Sequence, residues 1–177
     1  MLSVREREAG FVLWELMLVV IAVLLFSTQA VPRGFRLYRQ MAVEYEAEHL
    51  LADIRHCQSL SRLLAGDARQ YGAKKAYQKF TRMDIYPEYK TISAGESIIL
   101  DVNRFFPGVH IERVNKLGEL PLGDTTIQIA FLANGMTRLE KDMGLVTVLV
   151  YFQGYPQEGR WIMVSSGGRI RMERGGK

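Results

Sequence analysis

The sequence has few of the residues and motifs on which catalysis, redox chemistry or metal binding usually depend. It has 177 residues and a single cysteine, Cys57, so no intrachain disulfide can form. No glycine loop of the phosphate-binding type is present, and neither Ser165 nor Ser166 lies in a nucleophile motif. The aspartates of the second half form no pair spaced for acid–base work: Asp101, Asp124 and Asp142. The sequence therefore predicts a protein that is not an enzyme and that needs no cofactor.

Histidine is also scarce and poorly placed for metal binding. His49 and His56 are seven residues apart on one predicted helix, and Cys57 falls on the apolar face of that helix. Metal ligands on a helix must share a face and point at one ion. We therefore predict no metal site, a pair of surface histidines and a packed thiol.

The longest apolar run covers residues 11–26, and it is interrupted by one acid, Glu15. The run is at the short end for spanning a bilayer. A carboxylate in bilayer hydrocarbon costs a few kcal/mol, so it needs a partner and a function. If residues 1–10 were removed, the new amine of Phe11 on a neighbouring copy could neutralise Glu15. The acid is then interpreted as an assembly residue.

The N-terminal segment resembles the class III signal of type IV pilins and type II secretion pseudopilins. The resemblance is carried by Gly10, Phe11, Glu15 and the apolar residues that follow. It implies that a prepilin peptidase cuts between Gly10 and Phe11, that Phe11 is N-methylated, and that Glu15 acts in assembly. Pro32 would be the twenty-second residue after the cut, where many pilins have a helix-bending proline. Val12 and Trp14 depart mildly from the usual pattern at positions that need only be apolar.

Two other interpretations of the same segment stay open. A secretory signal peptide would use the small residues Thr28 and Ala30 for cleavage. However, the positive charges of its first ten residues are matched by acids, and Glu15 has no function there. A plain signal anchor would instead place Glu15 near the membrane interface.

The rest of the chain is long enough for one compact domain and a helix. A helix with one apolar face is predicted beyond Pro32, because apolar residues recur at steps of three and four. These residues are Val43, Ala47, Leu50, Ile54, Cys57, Leu60 and Leu64. The opposite, solvated face is predicted to hold Glu44, Glu46, Glu48, Asp53, Arg55, Arg62 and their neighbours. The predicted organisation is a leader at 1–10, a transmembrane or filament-core segment at 11–33, an amphipathic continuation at 34–66 and a sheet domain at 67–177.

The second half alternates between β-branched or aromatic runs and turn residues, which is typical of antiparallel strands. Predicted strands cover residues 97–102, 109–114, 125–132, 144–152 and 160–165. Asn134-Gly135 and residues 154–159 have the composition of turns. We therefore predict an α+β protein in which a long N-terminal helix packs on an antiparallel β-sheet, as in the type IV pilin fold.

The charge is concentrated at one end. Residues 160–177 hold five basic residues and one acid, a difference of +4 that equals the formal net charge of the chain. A basic end on a balanced body suggests a polyanion or an acidic surface as partner.

After the strand that ends in Phe131-Leu132-Ala133-Asn134-Gly135 come a strand, a hairpin, another strand and Ser165-Ser166-Gly167-Gly168-Arg169-Ile170-Arg171. This succession resembles minor pilins and pseudopilins of the FimT/GspH group. In the DNA-uptake members of that group a Gly-Arg-x-Arg element is implicated in DNA binding, and residues 168–171 match it. The resemblance implies that Arg169 and Arg171 clamp phosphates, with looser contributions from Arg174 and Lys177. On an extended segment Arg169 and Arg171 would project to one side, with Ile170 turned to the sheet. An equally open interpretation is a structural strand whose arginines are merely exposed.

A second basic region precedes the sheet. Its cations are Arg62, Arg69, Lys74, Lys75, Lys79 and Arg82, and its aromatic residues are Tyr71, Tyr77, Phe80 and Tyr86. The pattern fits backbone contact and base stacking on single strands. It fits a solvated connection between helix and sheet at least as well.

Three functional hypotheses follow. The first is a minor pilin or pseudopilin of a type IV pilus or competence pseudopilus that also binds DNA for uptake. The second is a tip or priming subunit of a type II secretion system that acts only through protein contacts. The third is an exported enzyme or binding domain on an unrelated signal anchor. The first two imply sibling subunits, prepilin peptidase and inner-membrane lipid as partners, and a single-pass inner-membrane protein with an extracytoplasmic C-terminal domain.

Overall fold

The computed structural model describes residues 4–68, 81–94, 97–114, 126–138 and 146–175. One helix precedes nine strands in these residues. They are α1 (Val4–Ala68), β1 (Thr81–Ile85), β2 (Tyr89–Ala94), β3 (Ser97–Arg104), β4 (Val109–Val114), β5 (Ile127–Phe131), β6 (Thr137–Arg138), β7 (Val146–Phe152), β8 (Tyr155–Val164) and β9 (Ile170–Arg174).

The chain divides into two compact units, Met1–Arg39 and Gln40–Lys177. In the first unit α1 is the described element, and the side chains of residues 13–38 are exposed. Pro32 lies inside α1, which is helical on both sides of it. The bend expected at Pro32 and the proposed domain boundaries stay predictions.

The second unit begins with the amphipathic part of α1. Val43, Ala47, Leu50, Ile54 and Cys57 are all buried, at most 1% exposed. They are the residues that the three-and-four spacing assigns to the apolar face, so this part of the prediction is confirmed. The helix presents this face to one hydrophobic core that it shares with both sheets.

The strands form two antiparallel sheets. Sheet A has the order β3-β2-β1-β5-β6, and sheet B has the order β4-β7-β8-β9. Alternate residues of their central strands face the core: Met83 lies opposite Ile129 in sheet A, and Val148 lies opposite Ile162 in sheet B. The predicted α+β arrangement of a long helix on antiparallel β-structure is confirmed, with two sheets where the sequence suggested one.

The hairpin between β7 and β8 differs from its prediction. Residues 154–159 have the glycines and proline of a loop, yet β8 begins at Tyr155, and Phe152 pairs with Tyr155 across Gln153 and Gly154. Gly154 has a φ of 81°, which glycine adopts at little cost. Residues 156–159 lie where the register between β7 and β8 shifts. The regular hydrogen-bond ladder is interrupted there, so Pro156, which has no amide hydrogen, is tolerated.

Candidate functional site

The first candidate site is the carboxylate of Glu15. Glu15 is exposed on α1, as are its described apolar neighbours from Leu13 to Phe26. Helix α1 is long and apolar enough to cross a membrane, and its most apolar window has no residue buried within the structure. Among the described side chains, none forms a hydrogen bond or ion pair with Glu15. The carboxylate is therefore available to a group on another molecule.

The second candidate site is the Gly-Arg-x-Arg element, which begins in the turn between β8 and β9. Three hydrogen bonds close this turn, two between backbone groups and one from the backbone to a side chain. The Gly168 amide donates to the Ser165 carbonyl at 2.9 Å, the Ser165 amide donates to the Arg169 carbonyl at 3.0 Å, and the Arg169 amide donates to the Ser165 hydroxyl at 3.1 Å. The backbone next to Arg169 is thus fixed before any ligand binds.

Gly168 is required at its position by packing. Its φ is 77°, and a Cβ at this position would lie 2.2 Å from the carbonyl oxygen of Gly135. The same Cβ would lie 2.7 Å from the side-chain amide of Gln58, whereas a Cβ on Gly167 would meet nothing within 4 Å. The sequence suggested that Gly167 and Gly168 allow a close backbone approach. The approach occurs at Gly168, and its partner is the Gly135 turn of this chain.

Gln58 of α1 joins that pair of turns. Its Nε2 donates to the carbonyl of Gly135 at 2.8 Å and to the carbonyl of Gly168 at 2.7 Å. One turn of helix further on, Arg62 lies over Gly135, where a Cβ would be 2.4 Å from its guanidinium. The C-terminal part of α1 thus holds the Asn134-Gly135 turn and the turn that carries Arg169. We call this arrangement the Gln58 clamp.

The arginines of the element are displayed on the surface. Arg169 and Arg171 are exposed, while Ile170 and Met172 pack against the core. The strand alternation expected for Ile170 and Arg171 is therefore present in β9.

The remaining cations of the basic end are less concentrated than the sequence suggests. Arg174 is exposed, but it lies directly opposite another cation, Arg160, in the β8–β9 ladder. By strand alternation it is on the opposite face of sheet B from Arg171. Glu173 shares the face of Arg171. Lys177 lies outside the described residues.

Arg160 forms an ion pair within the chain. Its guanidinium forms an ion pair with the carboxylate of Glu44 on α1, and its side chain is 14% exposed. The charge of Arg160 is therefore largely offset, although the sequence counts it with the basic end. Helix α1 and β8 are joined at this point.

Sequence reasoning missed a buried polar cluster between α1 and sheet A. The Lys90 ammonium lies 2.5 Å from an Asp53 carboxylate oxygen and 2.9 Å from Nδ1 of His49. It also lies 5.5 Å from the centroid of the Phe105 ring. The Lys90 side chain is 1% exposed, so its charge is balanced by Asp53 and by the face of Phe105.

A signal for Lys90 was present in the sequence. Lys90, Ile92 and Ala94 share one face of β2, and that face is turned to the core. A lysine on the apolar face of a strand is buried, so its charge needs a nearby acid. Asp53 of α1 is that acid. Helical periodicity places Asp53 on the solvated face of α1. It identifies the apolar face of the helix, but it does not show that sheet A extends beyond that face and covers Asp53.

Glu46 is a second buried acid of α1 that contacts the sheet domain. Its carboxylate accepts a hydrogen bond of 2.9 Å from the amide of Phe106, and the residue is 6% exposed. It fixes the segment between β3 and β4 against the helix. Glu46 was also expected on the solvated face.

The second basic region is described only in part. Residues 69–80, which hold most of its cations and aromatic residues, lie outside the described residues. Arg82 forms an ion pair of 2.8 Å with Asp84, and Tyr86 stacks on Tyr89 with ring centroids 4.3 Å apart. Arg62 belongs to the Gln58 clamp. The described members of this region thus have contacts within the chain.

The sulfur and histidine positions carry no metal-binding arrangement in the described part of the chain, where no three acidic, histidine or cysteine side chains converge. Burial, helped by the Asp84 carboxylate, raises the pKa of the Cys57 thiol to about 12, so the thiol is neutral at physiological pH. His49 belongs to the Lys90 cluster, and His56 is exposed.

No protein-family model and no curated protein matches the chain. Two crystal structures of the type IV minor pilin FimU from Pseudomonas aeruginosa resemble it. One is 18% identical and covers 74% of this chain and 92% of the FimU chain, with a TM-score of 0.49. The other is 17% identical and covers 69% and 89%, with a TM-score of 0.38. The chain is similar to a type IV minor pilin.

Proposed function

We propose that the chain is a minor subunit of a type IV pilus or a related filament. It is held in the cytoplasmic membrane by residues 11–26, with its sheet domain outside, until a prepilin peptidase cuts between Gly10 and Phe11. The observation that carries the proposal is Glu15, an exposed carboxylate within the otherwise apolar run of residues 11–26. The N-methylated amine of Phe11 on a neighbouring subunit neutralises it during assembly. Sibling subunits are therefore the main partners.

Glu15→Ala should lower the amount of this subunit in sheared filaments by about tenfold or more, because an unpaired amine in hydrocarbon costs a few kcal/mol. The measurement is an immunoblot of filaments from a deletion strain that expresses each variant. Glu48→Ala is the matched control, since Glu48 is an exposed acid on the same helix. Normal incorporation of Glu15→Ala would remove the basis of the proposal.

Mass spectrometry of the N-terminus separates this proposal from a protein on an unrelated anchor. The mature chain should begin with N-methylated Phe11. An uncut chain, or one cut after Ala30, would favour the signal-anchor or signal-peptide interpretation and an exported domain of another function.

We further propose that the subunit binds DNA through Arg169 and Arg171, with Lys177 as a secondary contact. Arg174 lies on the opposite face of sheet B from Arg171 and is left out of this surface. Support comes from the exposure of both arginines, Arg169 on the turn that the Gln58 clamp holds and Arg171 at the start of β9. Guanidiniums bind phosphates in a sequence-independent and salt-dependent way. Such binding suits a receptor for DNA uptake.

Arg169→Ala/Arg171→Ala should weaken binding of duplex DNA by about tenfold at low salt and reduce the salt slope by about 1.8, the value for two phosphate contacts. The assay is a titration of fluorescent DNA at several salt concentrations. Arg55→Ala/Arg104→Ala is the control, because it removes equal charge from exposed positions elsewhere. Equal losses in both variants would mean that net charge alone attracts the DNA.

A second candidate function is a tip or priming subunit of a type II secretion system that acts only through protein contacts. Three observations favour it. Gly168 is used in packing within the chain, Arg160 is paired with Glu44, and Glu173 lies beside Arg171. Stable complexes with sibling pseudopilins and no DNA affinity at low salt would support this function over the first.

A further inference from the structure

The two basic regions that are separate in the sequence meet at the Gln58 clamp. Arg62 belongs to the region that precedes the sheet, whereas Arg169 belongs to the Gly-Arg-x-Arg element near the C-terminus. A Cβ on Gly135 would lie 2.8 Å from Nη2 of Arg62, and Gly168, which precedes Arg169, packs on the same turn. The fold thus places one cation of each region on the same pair of turns.

Neither of these two guanidiniums is neutralised within the chain. Arg62 and Arg169 are both exposed, and no acid of the part that the structure describes forms an ion pair with either. The contact of Arg62 with Gly135 is packing against a turn, and it leaves the charge uncompensated. Arg160, by contrast, is offset by Glu44. Arg62 and Arg169 are therefore available to an anion on another molecule.

The chain around these arginines contains no acid. Residues 58–62, 132–137 and 165–169 meet at the clamp, and none of these segments has an aspartate or a glutamate. Most of their other exposed positions carry small or polar residues, which are Ser59, Ala133, Asn134, Ser166 and Gly167. Arginine, serine, asparagine and backbone N–H groups are donors that proteins direct to nucleic-acid phosphates. We call the exposed residues of the three segments the clamp surface.

The backbone is accessible beside Arg169. A Cβ on Gly167 would meet nothing within 4 Å, so a ligand atom can come close to the main chain there. Gly168 has no such space, because the Gly135 carbonyl and the Gln58 amide fill it. Of the two adjacent glycines, Gly168 therefore packs the clamp, and Gly167 leaves room for a ligand.

The composition of the clamp surface also indicates which kind of partner fits. The three segments contain no aromatic residue, although the stacking of bases on aromatic rings supplies much of the affinity of single-strand binders. Protein interfaces have an apolar core, whereas Met136 is the one large apolar side chain exposed in these segments. Donors without stacking rings suit a duplex, whose backbone carries one negative charge per about 1.7 Å of helix axis.

We propose that the clamp surface binds the phosphate backbone of double-stranded DNA, with Arg62 of α1 as a contact equivalent to Arg169. This inference rests on the DNA binding put forward under Proposed function, and it adds a residue and a ligand class to that site. Gln58 is a positioning residue. Its hydrogen bonds to the carbonyls of Gly135 and Gly168 keep the backbone segments that carry the two arginines in a fixed relation. Binding is independent of base sequence, since the contacts are with phosphates.

The test is a titration of fluorescent DNA with the full chain in detergent micelles, at several salt concentrations. The wild type should bind a duplex about threefold or more tighter than a single strand of the same length, because the charge density of the duplex is higher. Arg62→Gln should weaken duplex binding about threefold or more at low salt and lower the salt slope by about 0.9, the value for one phosphate contact. Arg62→Lys keeps the charge and should keep the slope.

Arg104→Gln is the matched control, since it removes an exposed cation at the end of β3, outside the three segments. It should leave the slope within about 0.3 of the wild-type value. Equal losses in Arg62→Gln and Arg104→Gln, a lower slope in Arg62→Lys, or no preference for the duplex would each overturn the inference.

The same titration separates this inference from the proposed DNA binding. If the wild type binds no DNA at low salt, the proposed DNA binding fails, and the inference fails with it. If Arg169→Ala/Arg171→Ala weakens binding but Arg62→Gln does not, the proposed DNA binding stands and the inference alone is overturned.

Discussion

Gly168→Ala should destabilise the sheet domain by about 3 kcal/mol, the sum of a left-handed backbone cost and an overpacking cost. The φ of 77° disfavours any Cβ, and this Cβ would lie 2.2 Å from the carbonyl oxygen of Gly135. Backbone cannot move aside as the end of a flexible side chain can. The turn would therefore have to leave the Gln58 clamp.

Urea unfolding of the fragment that begins at Gln40 provides the measurement, since every core residue lies in that unit. Gly154→Ala is a matched control. Its φ is 81°, but a Cβ there would meet nothing within 4 Å, so it should cost only about 1 kcal/mol. Equal losses in the two variants would show that backbone conformation, and not the contact with Gly135, determines the effect.

Lys90→Met should cost about 3 kcal/mol, because it leaves Asp53 charged and only 15% exposed without its cation. Methionine is close to lysine in length, so loss of packing contributes little. Unfolding of the same fragment measures the effect. Arg55→Met, which removes an exposed cation from α1, should change stability by less than about 0.5 kcal/mol.

A double variant tests whether the loss comes from the orphaned carboxylate. Lys90→Met/Asp53→Leu replaces the buried pair with apolar groups and should recover most of the stability. If the double variant is less stable than Lys90→Met by the full cost of a second substitution, Asp53 and Lys90 stabilise the fold independently. His49 and Phe105 would then be the more important neighbours of Lys90.

The apolar stripe of α1 was predictable because helical spacing alone identifies it. Val43, Leu50 and Ile54 fall on one face, and that face is buried. The β4 strand was predicted with its observed ends, since Pro107 and Gly108 mark its start. Strongly periodic segments with clear turn residues are the ones that local reasoning identifies.

Other features depend on contacts between distant parts of the chain. Strands β1 and β2 escaped prediction because Asp84 and Lys90 interrupt their apolar pattern, and their partners lie elsewhere. Gln58 gave no signal either, although it contacts carbonyls that are 77 and 110 residues away in sequence. The arginines of the candidate DNA site form a local motif and could be named from the sequence. The clamp that positions Arg169 could not, because it depends on contacts between residues distant in sequence.

The Gln58 clamp has a mechanical consequence for a subunit under load. Both of its hydrogen bonds come from one nitrogen of one side chain, at 2.8 and 2.7 Å. A side-chain hydrogen bond is lost once its donor and acceptor are about 3.6 Å apart. A force that moves α1 along the sheets would therefore break both bonds in a single step. The Gly135 and Gly168 turns would yield together, so in the proposed filament a pull along α1 would reach the turn that carries Arg169 abruptly and not gradually.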